Sequence, residues 1–278
     1  MLTTTIDGIW VLQVLSGIEA LAPELGLRPI LPSLETPQMA LAHPVATELR
    51  SEGVIDEAGT VDTTVVEWLT VLARRDVALV IRACRPEDPG NPAGALLARF
   101  AKWWVVVERS EELIRIGGAG TASAEAAATV VLTAQIERLC GTNTPASFRP
   151  ITLDADALLA NVTSQGTLSD FLINQRIAAD QLHVLMTAAD PRRSAQISIV
   201  ATQSGVETGD PMRTHVEHSV VTIVDTPEGR LLAEHFSSDG KRWMIMGPGT
   251  VGSIGAAVNR MLRRLPANEE WFSYRKVV

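Results

Sequence analysis

The sequence predicts an α+β protein with a central antiparallel β-sheet flanked by helical bundles, built as a duplicated unit about a pseudo-two-fold axis. Three observations predict it. The first is Lys102–Thr121, KWWVVVERSEELIRIGGAGT. Its unbroken apolar run Trp103–Val107, polar turn Glu108–Glu112 and second run Leu113–Ile116 read as a hairpin. The second is a repeat of that order: strand Val220–Val224, turn Asp225–Gly229, strand Arg230–Phe236, then strand Arg242–Met246. Gly118-Ala-Gly120-Thr121 is thereby matched by Gly247-Pro-Gly249-Thr250, each ahead of a helix, at an offset of 129. The third is a pair of further anchors in the same order. Thr5-Ile6-Asp7 recurs as Thr152-Leu153-Asp154, at 147, and Arg74-Arg75 recurs before a strand as Arg192-Arg193, at 118. Unequal offsets imply unequal loops between two related halves, about 1–141 and 150–278, within a single domain of 278 residues.

Taken in order, Leu2–Ile6 is a short strand, and Asp7 caps a helix over Gly8–Leu15 because its carboxylate can accept from free backbone N–H groups. Gly26–Leu34 is extended and punctuated by proline. Pro44 opens a helix Val45–Ser51 that stops at Gly53, and Asp62 caps Val65–Arg74, whose Val65, Trp68, Leu69 and Leu72 share one face. Val77–Cys84 is a strand. Arg85–Gly94, with three prolines and two glycines, is expected to be a mobile loop, either a recognition rim or an unconstrained connector. After the hairpin, helix Ala124–Leu139 ends at Gly141, and Thr142–Arg149 links the halves. In the second half Asp154 is a cap, Thr167 caps Leu168–Gln175, and a second helix spans Ala179–Ala188. Strand Gln196–Thr202 precedes a polar loop, Gln203–Met212.

Composition narrows function. Net charge −8 and pI near 5.2 exclude the basic face that tracks phosphates, so no nucleic-acid partner is expected. No apolar run approaches the roughly 20 residues of a membrane helix. The N-terminus lacks a basic stretch ahead of an apolar one, so a cytoplasmic protein is expected. Cys84 and Cys140 are expected reduced and buried, since cysteine packs as a small apolar residue.

Few motifs carry chemistry. Gly118–Ser123 follows a strand and opens a helix, as a phosphate cradle would, so a nucleotide-binding enzyme is one alternative. Its last position is Ser, no parallel strand follows, and Pro248 removes an N–H from the second copy. The other reading is a tight strand-to-helix turn, with Thr121 and Thr250 starting helices. His215 and His218 fall on opposite faces of a strand, so no metal is expected, nor any cofactor. Asp7 and Asp154 read as caps and not as a carboxylate pair. Apolar surface is what remains. Trp103 and Val105 lie on one side of their strand and Trp104 and Val106 on the other, and helices on one side alone would leave a row exposed. Phe171, Leu172 and Ile173, with Leu182, Leu185 and Met186, concentrate on two short helices, and Met244 and Met246 lie on a late strand. Each of these also reads as simple core.

The order of TIDGIWVLQ (5–13), GVIDEAGTVDTTVVEWL (53–69), ITLDADALL (151–159), SVVTIVDTPEGRLL (219–232), MGPGT (246–250) and LPANEEWFSYRKV (265–277) resembles the EspG family, cytosolic chaperones of type VII (ESX) secretion in mycobacteria. The resemblance spans nearly the whole chain. It implies a non-enzymatic chaperone that caps the apolar helical tip of a cognate PE–PPE heterodimer and keeps it soluble and competent for secretion. It places the client surface on the sheet near Val105 and Val221, on the helices Thr167–Ala189, and near Arg85–Gly94. Phe171, Leu172, Gln175, Leu182, Leu185, Met186 and Met244 are then candidate contacts. A structural homodimer with its apolar sheet face self-paired is the other alternative to a client-binding role.

Overall fold

Alternating apolar residues along the strands bury one face of a large sheet and the two sides of the other. The computed structural model describes residues 1–205 and 214–276, with only the backbone over 88–92. The first half supplies β1 (Leu2–Thr5), β2 (Val77–Arg85), β3 (Asp88–Phe100), β4 (Trp103–Ser110) and β5 (Leu113–Thr121). The second supplies β6 (Ile151–Asp154), β7 (Ala195–Ser204), β8 (Thr214–Val216), β9 (Val220–Thr226), β10 (Gly229–Ser238) and β11 (Lys241–Pro248). The order across the sheet is β1-β5-β4-β3-β2-β7-β9-β10-β11-β6, with β8 paired to β7 off this path. Each half therefore runs identically from the centre outward, and each ends on the strand that comes first in its own sequence.

The ladders locate the axis. Thr5 and Asp154 both end an edge strand and cap the following helix. Following the pairings inward from them matches Ile116 with Met246, Val107 with Ala233, Leu96 with Thr222 and Val80 with Ser198. The last match is the offset of 118 that the Arg-Arg anchor predicts. That offset carries Ile81 onto Ile199, its own antiparallel partner, so the axis passes through this pair.

Helices lie on both faces. On one, α5 (Glu125–Cys140) and α9 (Val251–Leu262) pack side by side over Leu97, Trp104, Val106, Ile199 and Ile223. On the other, α1 (Ile6–Ser16), α2 (Pro37–Ala42), α3 (Pro44–Ser51) and α4 (Thr63–Arg74) enclose Ala98, Val105, Val107 and Ile116. On that same face α6 (Ala155–Asn161), α7 (Gln165–Asn174) and α8 (Ala179–Ala188) enclose Val224, Leu231 and Ala233. The amphipathic reading of α4 holds: Asp62 Oδ1 accepts from the N–H of Thr64 and Val65, and Val65, Leu69 and Leu72 are buried.

Several expectations need correction. Arg85–Gly94 is mostly hairpin, with β3 beginning at Asp88. Its prolines are tolerated because β4 joins β3 only from Gly94 onward, so the earlier residues have β2 as their one named neighbour. Thr5, not Asp7, caps α1, accepting from Gly8 N–H at 3.2 Å, and Asp7 sits in the first turn. Ser164, not Thr167, caps α7; Thr167 returns the bond in a capping box. Gly118–Thr121 belong to β5, and α5 starts at Glu125 behind Ala124, so no glycine turn opens that helix. A bulge at this end of β5 makes Gly117, not Gly118, the counterpart of Gly247. Thr250 does cap α9, accepting from Ser253 N–H. Helix α2 was not expected. Gln203 and Ser204 end β7, and of the polar loop expected to Met212, residues 206–212 lie outside the described residues.

The C-terminal segment is tied down by a buried charge cluster. Asp76 and Arg99 are both wholly enclosed, 3.8 Å apart. Asp76 accepts from the N–H of Ala101 and Lys276 at 3.0 and 3.1 Å, and Arg99 donates to the carbonyls of Phe272 and Tyr274. Burial pulls the Arg99 guanidinium down to about 10, against the opposing pull of Asp76. Asp76→Ala strands that cation, and the expected loss is about 3–5 kcal/mol in equilibrium urea unfolding. Asp76→Asn, which still accepts hydrogen bonds, is expected to cost less.

Candidate functional site

Between the two helical groups on the shared face, the sheet centre is left open by the described residues. On β2 and β7 the residues facing α5 and α9 are closed: Leu79, Ile81, Ile199 and Ala201 are all buried. On the other face Ala78 and Thr202 are buried too, but the residues between them and the far end of the ladder are not. Val80 and Val200, paired directly across the axis, are half-buried, as are Gln196 and Ser198, while Arg82 and Cys84 are exposed. Arg82 is anchored from one side, its Nη2 donating to Glu24 O at 3.1 Å. The result is a shallow strip with an apolar middle and a cationic edge.

The strip runs into a groove of about 380 Å³ between α6–α8 and β9–β11. Ser198 and Thr222 mark the junction, and Leu158, Leu172, Leu185 and Met244 furnish apolar walls. His235 also lines it, and burial lowers its imidazole below the ordinary value, which favours the neutral form.

The structure sorts the sequence candidates into three groups. Leu172, Leu185 and Met244 line the groove. Phe171 is 8% exposed and packs in the cluster beneath, with Leu182 and Met186 half-buried against it; Gln175 is exposed at the end of α7. Val105 and Val221, each 2% exposed, lie in the protein's own core, Val105 under the first-half helices and Val221 in the cluster under α9. No exposed row forms there, because helices cover both faces of the sheet; Trp103, at 50% exposure, is the member of the expected row left open. Val80, Arg82 and Val200 were missed. Their signal was available: Arg82 interrupts an otherwise apolar strand, as expected where one face of a central strand meets water.

Cys84 is exposed on the strip, against the expectation of burial, and both cysteines are free thiols. Ring centroids of His215 and His218 approach edge-on at 6.4 Å, because β8 ends at Val216 and releases His218 from strand alternation. Among the described residues no group of three or more His, Cys, Asp or Glu is placed to hold a metal, and no helix is long and apolar enough to cross a membrane.

A duplicated α+β platform with an open apolar strip and an adjoining side groove defines a scaffold suited to docking another protein. The chain belongs to the EspG family, whose model matches residues 5–260. It is 50% identical, over the full length of both chains, to the ESX-2 secretion-associated protein EspG2 of Mycobacterium tuberculosis. It is 27% identical to the ESX-3 secretion-associated protein EspG3 of Mycolicibacterium smegmatis, over 96% of this chain and 88% of that one. Its fold matches that of the Mycobacterium tuberculosis type VII secretion system chaperone EspG5, solved in complex with a PE25–PPE41 dimer. The TM-score is 0.73 at 22% identity, covering 96% and 98% of the two chains.

The strip has a direct chemical handle. Burial pushes the Cys140 thiol up to about 11, so little thiolate exists there at pH 8. A maleimide or disulfide reagent is expected to modify Cys84 first, with Cys140 at least about tenfold slower, as read by mass spectrometry of Cys84→Ser and Cys140→Ser proteins.

Proposed function

We propose that the protein is a cytoplasmic chaperone that binds the apolar helical tip of a cognate PE–PPE heterodimer and keeps it soluble and competent for type VII secretion. It acts by binding and performs no reaction. The observation that carries this reading is the open strip at Val80 and Val200 with its side groove, in a chain whose fold matches a chaperone solved with a PE–PPE dimer. A helical tip ends in apolar side chains that favour association when left in water. Burying each one fully is worth roughly 1.5–3 kcal/mol, so a handful on this strip suffices for stable capture. Arg82 then selects among clients, since a mismatched charge left unpaired in the contact is costly.

The contact residues supported best are Val80 and Val200 on the strip, with Leu172, Leu185 and Met244 shaping the groove and Ile173 exposed on α7 beside Leu172 in sequence. Phe171 and Leu182 are poorer probes than their sequence positions suggest, because an aspartate in that packed cluster would report on folding. Ile173 is 55% exposed, and Val200 sits on the open strip. Val200→Asp and Ile173→Asp are each expected to lower affinity for the cognate PE–PPE pair at least about tenfold, with circular dichroism unchanged. Co-expression with candidate PE–PPE pairs, scored by which PPE becomes soluble, identifies the client. Full affinity in both variants would move the contact off the strip and off α7.

A further inference from the structure

A large apolar cavity lies in the other half. It holds about 700 Å³ between α4 and the ends of β3, β4 and β5. Val66 and Trp68 of α4 face Phe100, Trp103 and Val105, and Glu67 lines it beside them. At the rim Lys102 Nζ stands 5.4 Å from the Trp103 ring centroid and the Arg275 guanidinium 4.7 Å from that of Phe100, leaving Glu67 as the acidic group among the described lining residues. Gly118 helps keep it open: a Cβ there would stand 3.4 Å from Trp68 Nε1.

The second half has the corresponding cleft, and there it is filled. The ladder registers match Val105 with Leu231, Trp104 with Arg230 and Trp103 with Gly229. Against those second-half residues lies the linker. Arg230 N–H donates to Thr144 O at 2.7 Å, and Ala146 N–H donates to Arg230 O at 2.9 Å. A Cβ on Gly229 would meet the Ala146 backbone at 2.8 Å. Ala146 and Phe148 are buried in one cluster with Leu231 and with Val184 of α8. Gln181 of α8 donates to Arg149 O at 2.7 Å and closes the segment over. In the first half α4 takes the place of α8, each being the last helix before its central strand. Among the described residues no such segment roofs it, and Trp103 stays half exposed.

We propose that this first-half cavity is a second binding site, distinct from the strip, for an extended segment of a partner protein that carries an aromatic side chain. The model for its occupant is the chain's own Thr144–Arg149, with a small residue two positions before the aromatic and a basic residue after it. The aromatic enters between α4 and the sheet, among Trp68, Phe100 and Val105, and the basic residue faces Glu67. The main chain cannot add as a strand in the way the linker does, because β5 already pairs with β4 as far as Thr121. Recognition therefore rests on the inserted ring.

The test uses the full chain and the blocked peptide acetyl-Thr-Pro-Ala-Ser-Phe-Arg-Pro-amide, titrated while tryptophan emission is read. The expected result is saturable binding that weakens at least tenfold when the peptide carries Ala in place of Phe. It should weaken as much in Gly118→Val, which fills the floor, and in Trp103→Ala, which removes an outer wall. Circular dichroism confirms that each variant is folded, and the two act on different walls, so one misfolded variant leaves the other to decide. Absence of saturable binding overturns the proposal, as does binding indifferent to the phenylalanine or to the folded variants. A self-associated dimer that buries Trp103 in place of the peptide also overturns it.

Discussion

The ladder between β2 and β7 is the constraint on which the rest of the structure depends. It runs from Val77 opposite Gln203 to Cys84 opposite Gln196 without a register break. Each half alone would end in a long, apolar, unpaired strand, an invitation to aggregate. Joined edge to edge, the halves give one sheet whose outermost strands are β1 and β6, four residues each, with the three-residue β8 beside β7. Antiparallel pairing about Ile81 and Ile199 imposes the symmetry, since a two-fold operation is the one that places equivalent strands side by side and head to tail.

That junction also decides where the surface is. Each half brings its own helices to its own strands, and in the first half α4 lies over β3, β4 and β5. The strands added by the junction are farthest from both groups. On the opposite face α5 and α9 meet across the axis and close it, so Ile81 and Ile199 are buried while Val80 and Val200 are not. The open strip is thus a consequence of duplication: two covered half-sheets fused at their uncovered edges. The same duplication explains the asymmetry of the side clefts. The linker Thr144–Arg149 must run from α5 to β6, and on the way it fills the cleft of the second half.

Much of this was legible in the residues. Strand alternation, Asp62 and Asp154 as caps, and the Arg-Arg anchor all lie in local sequence, and the anchor's offset of 118 is the one the central ladder obeys. The offsets of 147 and 129 were off by one or two positions, because capping passed to Thr5 and because β5 carries a bulge. Both are tertiary details without a local signature. Arg85–Gly94 misled because proline and glycine usually mark loops, whereas an unpaired strand edge removes the penalty. Of the candidate site, the apolar helices α7 and α8 were visible as a concentration of Leu, Phe and Met. Val105 and Val221 were misplaced on the surface because sequence alone does not show that helices cover both faces.

Amide hydrogen exchange on the protein with and without its cognate PE–PPE pair shows which face of the sheet the client covers. The client is expected to slow exchange in peptides covering Val80–Cys84 and Gln196–Val200, together with α7 and α8. Slowing confined to α5 and α9, on the closed face, would contradict that expectation.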